Sequence, residues 1–123
     1  MKILIAEDEA AMLEVLQASL KGEGYDLVAA SDGQQALDQY RAVQPDLIIT
    51  DILMPYTSGL ELLSIVKSDG GLQVPVIVLS AMGQEATVIE AFNLGADDFL
   101  TKPFNPVELK LRVRKLLQRK GTE

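Results

Sequence analysis

A chain of 123 residues with 48% apolar side chains is long enough to bury a core as one domain, residues 1–123. It holds neither cysteine nor histidine, which excludes disulfides, thiolate nucleophiles, Cys-ligated metals and every imidazole base, zinc ligand or phosphate carrier. The net charge of −7 divides into −11 over residues 1–107 and +4 over residues 108–123; the acidic body argues against direct nucleic-acid binding, and the basic end suits a helix C-terminus or a docking surface.

The opening MKILIAEDE has too short an apolar run before its first acid to be a signal peptide. No apolar segment approaches the roughly 20 residues of a membrane span, so a soluble, cytoplasmic chain without membrane contact is expected. Lys2–Ala6 reads as a short buried strand, followed at once by Glu7-Asp8-Glu9. A helical pattern runs to about Lys21, with Met12, Leu13, Leu16 and Leu20 at helical spacing and Gly22 or Gly24 closing it. Asp26–Ala30 is a second strand. Ser31-Asp32 offers an N-cap to a helix through Val43, with Ala36, Leu37 and Tyr40 inward, which Pro45 ends.

Leu47, Ile48 and Ile49 form an unbroken apolar run, the pattern of a strand buried on both faces. Directly behind it comes Asp51, then a turn at Met54-Pro55. A helix from about Ser58 to Ser68 follows, with Leu60, Leu63 and Val66–Lys67 spaced to pack. After the Asp69-Gly70-Gly71 loop, Pro75 opens a strand over Val76–Ser80. Ala81-Met82-Gly83 bridges to a helix of about Glu85–Leu94, capped by Gly95. Asp98–Thr101 is a fifth strand ending in Lys102-Pro103, and Asn105-Pro106 starts the last helix with Leu109, Val113 and Leu116 on its core face. Apolar strands alternating with helices imply an α/β fold: a parallel five-stranded sheet covered on both faces. Right-handed crossovers then bring all the strand C-termini to one edge.

That edge receives Glu7 and Asp8 from the first strand, Asp51 from the third, Ser80 from the fourth and Lys102 from the fifth. Singly, each has an ordinary structural role: Asp8 as a helix cap, Ser80 as a turn hydroxyl, Lys102 as a solvated charge. Jointly they place three carboxylates, a hydroxyl and an ammonium where open α/β sheets keep their ligands. Carboxylates about 4 Å apart repel by roughly 4 kcal/mol per pair at an effective dielectric near 20, a large share of a small domain's roughly 5–15 kcal/mol. Either a cation compensates or a carboxyl takes up a proton. Lys102 offsets part of the repulsion; Mg²⁺, which takes one or two carboxylates plus a phosphate, suits an all-oxygen donor set. Phosphoryl transfer follows: Asp51 as nucleophile, Asp8 on the metal directly and Glu7 through water, Lys102 and Ser80 on the phosphoryl oxygens. No phosphate-cradling glycine loop is present, so a nucleotide is not expected as direct donor.

With Glu7-Asp8, Asp51 in DILMPYTSG, Ser80-Ala81, Phe99 and Lys102-Pro103-Phe104 in hand, the chain resembles a receiver domain of a two-component response regulator over nearly its whole length. The resemblance implies a flavodoxin-like (βα)5 three-layer sandwich with strand order 2-1-3-4-5 and a cis Lys102–Pro103 bond. It implies that Asp51 accepts phosphate from a phosphohistidine on a histidine kinase or histidine phosphotransfer protein, which agrees with the absence of histidine here. It further implies Mg²⁺ held by Asp8, Asp51 and the Leu53 carbonyl, and a switch in which Ser80 moves toward the phosphate and Phe99 turns inward. The face made by the fourth helix, fifth strand and fifth helix would then change and control a downstream output. Beyond its own phosphotransfer and slow dephosphorylation, no enzyme activity is implied.

The segment GADDFLTKPFNPVEL is similar to receivers of the winged-helix transcription-factor subfamily, which dimerise through paired charges on that face. Asp98, Glu108 and Arg112 match the pattern, whereas Val88 stands where a lysine is usual and Leu94 where an acid is usual. Thr57-Ser58 replaces the frequent Met-Asp or Met-Gly, a change of local packing. Phe99 lacks the hydroxyl of the frequent tyrosine, so its switch is a packing event. Leu53 and Met82 are both apolar and flank the expected path of attacking water, which predicts slow self-dephosphorylation. Rival readings are a flavodoxin-like module holding FMN, which carboxylates without a metal would repel; a phosphatase, for which Leu53 offers no second acid; and a degenerate receiver used only for docking. The ending LLQRKGTE resembles the start of a linker.

Overall fold

Residues 1–69, 74–81 and 85–121 are described by a computed structural model; the expected Gly70-Gly71 loop and the Met82-Gly83 bridge lie outside them. In chain order the elements are β1 (Lys2–Ala6), α1 (Ala10–Leu20), β2 (Asp26–Ala30), α2 (Gly33–Val43), β3 (Leu47–Asp51), α3 (Gly59–Ser68), β4 (Val76–Ser80), α4 (Glu85–Asn93), β5 (Asp98–Thr101) and α5 (Pro106–Gly121). The strands form one parallel sheet in the order β2-β1-β3-β4-β5. The expected class and strand order are therefore both found.

Strand residues alternate between two cores because successive side chains leave opposite faces of a pleated strand. Leu4, Ala6, Ile48, Val76 and Val78 enter one core, closed by Ala36, Tyr40, Leu62, Leu63, Val66 and Ala91 of α2, α3 and α4. Ile3, Ile5, Leu47, Ile49, Ile77, Leu79 and Leu100 enter the other, closed by Leu16 and Leu20 of α1 and by Leu109, Val113, Leu116 and Leu117 of α5. Truncating one such fully buried Ile or Leu to alanine costs about 2–5 kcal/mol.

Helix ends follow their local chemistry. Asp32 caps α2 by accepting the Gln35 N–H at 2.8 Å, Ser58 caps α3 by accepting the Glu61 N–H at 3.1 Å, and Asn105 accepts the Val107 N–H at 2.8 Å at the head of α5. The Tyr40 hydroxyl donates to Asp69 at 2.6 Å, tying α2 to the end of α3. Burial, and then this bond, push the phenol up to about 12.

Several boundaries differ from expectation. Glu9, with no side-chain bond, occupies the N-cap position of α1, so Asp8 is not the cap. The third strand includes Asp51 as its last residue rather than leaving it just past the strand end. Leu62, with Leu63 and Val66, forms the buried face of α3, while Leu60 is half-buried. The Lys102–Pro103 bond is cis.

Candidate functional site

Each carboxylate reaches the strand-end edge by a different local route. Asp51 closes β3 and pairs across the sheet with Leu79, one residue before Ser80. Its carbonyl accepts the buried Thr50 hydroxyl at 2.9 Å, and its Oδ1 accepts the Ile52 N–H at 2.8 Å. Glu7 leaves the end of β1, its backbone N–H donating to Ala30 at 3.0 Å. Its side chain is 0% exposed, while Asp8 beside it is open to solvent. Glu7, Asp8 and Asp51 each present an oxygen within 4.8 Å of the others.

Lys102 joins two of the three. Its Nζ donates to Glu7 Oε1 at 2.7 Å and to Asp51 Oδ2 at 2.9 Å, and its backbone N–H donates to the Ser80 carbonyl at 2.7 Å. One ammonium against three carboxylates leaves the cluster with excess negative charge. Burial raises Glu7 to about 7, with Lys102 opposing and Asp51 reinforcing the shift. Burial works against the charge on Lys102, but its bonds to Glu7 and Asp51 overcome this and raise its pKa. The cluster thus holds a lysine that offsets part of the repulsion and a carboxyl whose pKa burial raises. The donor set is hard, anionic and open on the Asp8 side, which fits Mg²⁺ bound by carboxylates with water completing its shell.

Ser80 ends β4 and is buried. Leu53, two residues beyond Asp51, is 65% exposed. Phe99 lies half-buried, its ring edge-on to Phe92 of α4 with centroids 5.6 Å apart at 89°. Asp98, Glu108 and Arg112 bind one another within the chain: Arg112 Nη1 pairs with Asp98, and its Nη2 meets Glu108 at 3.0 Å. The structure thus brings Glu7, Asp8, Asp51 and Lys102 together, and groups Phe99 with the Asp98–Arg112–Glu108 cluster on the neighbouring face. The expected role of Met82 lies outside the described residues. Thr50, Phe92 and Gly33 escaped the sequence reading. Thr50 is the one polar residue within an otherwise apolar strand run. Phe92 falls at an unremarked helical position, and Gly33 opens a helix where better helix formers are available.

The family described as "Response regulator receiver domain" matches residues 3–114. The DNA-binding response regulator MtrA of Mycobacterium tuberculosis is 38% identical over 122 residues, 99% of this chain and 53% of that protein. The alkaline phosphatase synthesis transcriptional regulatory protein PhoP of Bacillus subtilis is 38% identical over 118 residues, 96% of this chain and 49% of that one. The chain thus spans about half the length of these curated relatives. Among solved structures, the receiver domain of Francisella response regulator 1452 superposes with a TM-score of 0.89 at 36% identity, covering 97% of this chain and 98% of that one. Among the described residues, no helix is long and apolar enough to cross a membrane.

Proposed function

This chain belongs to the response regulator receiver domain family, and from that premise we propose that it is a phosphorylation-activated switch with Asp51 as phosphoacceptor. The donor is a phosphohistidine on a histidine kinase or a histidine phosphotransfer protein. The observation that carries this reading is Lys102 bridging Glu7 and Asp51 with Asp8 beside them. An oxygen of Asp51 forms the new P–O bond as the donor P–N bond breaks, and the imidazole leaves with the electron pair. Lys102 stabilises charge on the phosphoryl oxygens as a point cation, and the Ser80 hydroxyl donates to another of them. Asp8, Asp51 and the Leu53 carbonyl would hold Mg²⁺, with Glu7 reaching it through water. The ion supplies charge neutralisation among the carboxylates and on the phosphoryl group.

After transfer, Ser80 moves toward the phosphate and Phe99 turns inward, leaving Phe92. The edge-on ring pair, about 0.5–1.5 kcal/mol by type, opposes that turn until phosphate is present. The change reaches the face of α4, β5 and α5 and controls a downstream effector. The names of MtrA and PhoP support a transcriptional output, with DNA bound outside residues 1–123. We place this single receiver domain in the cytoplasm. Its own dephosphorylation is slow because Leu53 offers water no polar guide; Leu53→Asn should shorten the phosphoryl lifetime severalfold, and an unchanged lifetime would reject this role.

Incubation with acetyl phosphate and Mg²⁺, followed by intact mass, tests the central reading. The wild type should gain one phosphoryl group and Asp51→Asn none; equal labelling of the two would overturn it. A second reading concerns association. Ile89, Phe92, Val107 and Leu111 are exposed on α4 and α5, flanking the Asp98–Arg112–Glu108 cluster, and this supports a phosphorylation-dependent homodimer in which the charges exchange partners between copies. Sedimentation with and without beryllofluoride should show a dimer only with the mimic; a monomer in both rejects it.

A further inference from the structure

The β3–α3 loop, residues 52–58, carries the backbone carbonyl assigned above to the cation. Ile52 is buried and Met54 packs against the core beside it, whereas Leu53 is 65% exposed and Tyr56 82% exposed. Backbone contacts add to the hold of those two side chains. At the base of the loop, the Gly59 N–H donates to the Ile52 carbonyl at 2.8 Å. At its far end, the first residue of α2 sits directly on the loop: the Gly33 N–H donates to the Pro55 carbonyl at 3.0 Å. A Cβ on Gly33 would lie 1.6 Å from the Thr57 carbonyl oxygen and 2.6 Å from the Thr57 nitrogen. These are main-chain atoms, so no side-chain rotation can make room.

Gly33 does not have a positive φ, and alanine is the better helix former. Backbone conformation and propensity therefore both favour alanine there, and only the contact with the loop requires glycine. The α2 end is held by local hydrogen bonds: Asp32 caps Gln35, and the Gln35 Oε1 accepts from both the backbone N–H and the hydroxyl of Ser31 at 2.9 and 3.0 Å.

We propose that Gly33 is a positioning residue of the phosphoacceptor site: its bare α-carbon lets α2 seat on the Pro55–Thr57 backbone and so sets the Leu53 carbonyl for the cation. This rests on the function proposed above. Outer groups that orient metal ligands typically change metal affinity by about 10–100-fold when altered, and Gly33→Ala displaces the loop without touching a carboxylate.

The test is calorimetric titration of Mg²⁺ into the wild type, Gly33→Ala and Ala36→Gly, the last weakening α2 at a buried position one turn beyond Gly33. Gly33→Ala should raise the Mg²⁺ Kd roughly tenfold or more, with its phosphorylation rate recovering toward wild type at saturating Mg²⁺. Ala36→Gly should lower the melting temperature and leave the Kd unchanged. A Gly33→Ala Kd within twofold of wild type, or an equal rise in both variants, overturns the proposal. Should Gly33→Ala fail to fold, amide spectra of the wild type decide: the Gly33 and Thr57 resonances should shift with the same Mg²⁺ midpoint as Ile52, and a stationary Gly33 overturns it. A wild type that neither binds Mg²⁺ nor is phosphorylated overturns the function as well, whereas a normal wild type with an indifferent variant removes Gly33 alone.

Discussion

A lysine meets carboxylates at both edges of the sheet, and the two meetings have opposite charge balance. At the N-terminal edge, Lys67 Nζ donates to Asp97 at 2.9 Å and to the Val74 carbonyl at 2.8 Å, and the same Asp97 oxygen accepts the Val76 N–H at 2.8 Å. One cation faces one anion, and backbone groups take the remaining bonds. At the C-terminal edge, Lys102 faces Glu7 and Asp51 with Asp8 within reach. The first arrangement is complete and joins α3 to β4 and the turn before β5. The second keeps an excess of negative charge, the feature on which the proposed binding of a cation and a phosphoryl group rests. The same ion-pair chemistry is structural where the charges balance and receptive where they do not.

Five measurements sharpen that contrast, beginning with the largest effect. Asp51→Asn should abolish phosphorylation altogether while the far-UV circular dichroism stays native; residual labelling would place the acceptor elsewhere. Lys102→Ala leaves Glu7 buried without its cation and should slow phosphorylation by about 10²-fold or more, read as initial rates with acetyl phosphate. A change below fivefold would make Lys102 structural, like its counterpart at the other edge.

Glu7 supplies the pH arm. Its pKa is raised from an ordinary 4.5 to about 7, so between those values the folded chain holds a proton that the unfolded chain has released. Its contribution to stability is complete below 4.5 and is lost as pH rises through 7. Urea midpoints in cation-free buffer should therefore show a Glu7-dependent fall over that window, flattened in Glu7→Gln; the same slope in both proteins would assign it to other groups. Because Mg²⁺ binding favours the ionised acid, its affinity should rise by about tenfold from pH 6 to 8. The smallest effect belongs to the balanced edge. Lys67→Ala should cost about 1–2 kcal/mol by denaturation, part of the pair's strength being screened by solvent, with the phosphorylation rate unchanged.

Which of these features were legible in the sequence depended on range. The strands were, because each apolar run ends at a charged or hydroxyl residue, and parallel crossovers gather those ends by topology alone. Glu7, Asp8, Asp51 and Lys102 therefore declared themselves without coordinates. Leu60 and Leu62 did not separate, since helical spacing cannot choose a face among Leu60, Leu62 and Leu63 until the sheet is present. Lys67, expected only to pack, turned out to bind an aspartate 30 residues away. Gly33 touches a loop whose sequence carries no mark of it, and Phe92 meets Phe99 through a fold that only the assembled chain defines. Local chemistry wrote the strands and caps; the partners of long side chains and bare α-carbons came from three-dimensional proximity.

Lys102 gives its backbone N–H to Ser80 while its ammonium holds Glu7 and Asp51. One residue thus links the exits of β4, β1 and β3, so the acid cluster is tied to the main chain of the β4–β5 seam by a path that crosses neither apolar layer.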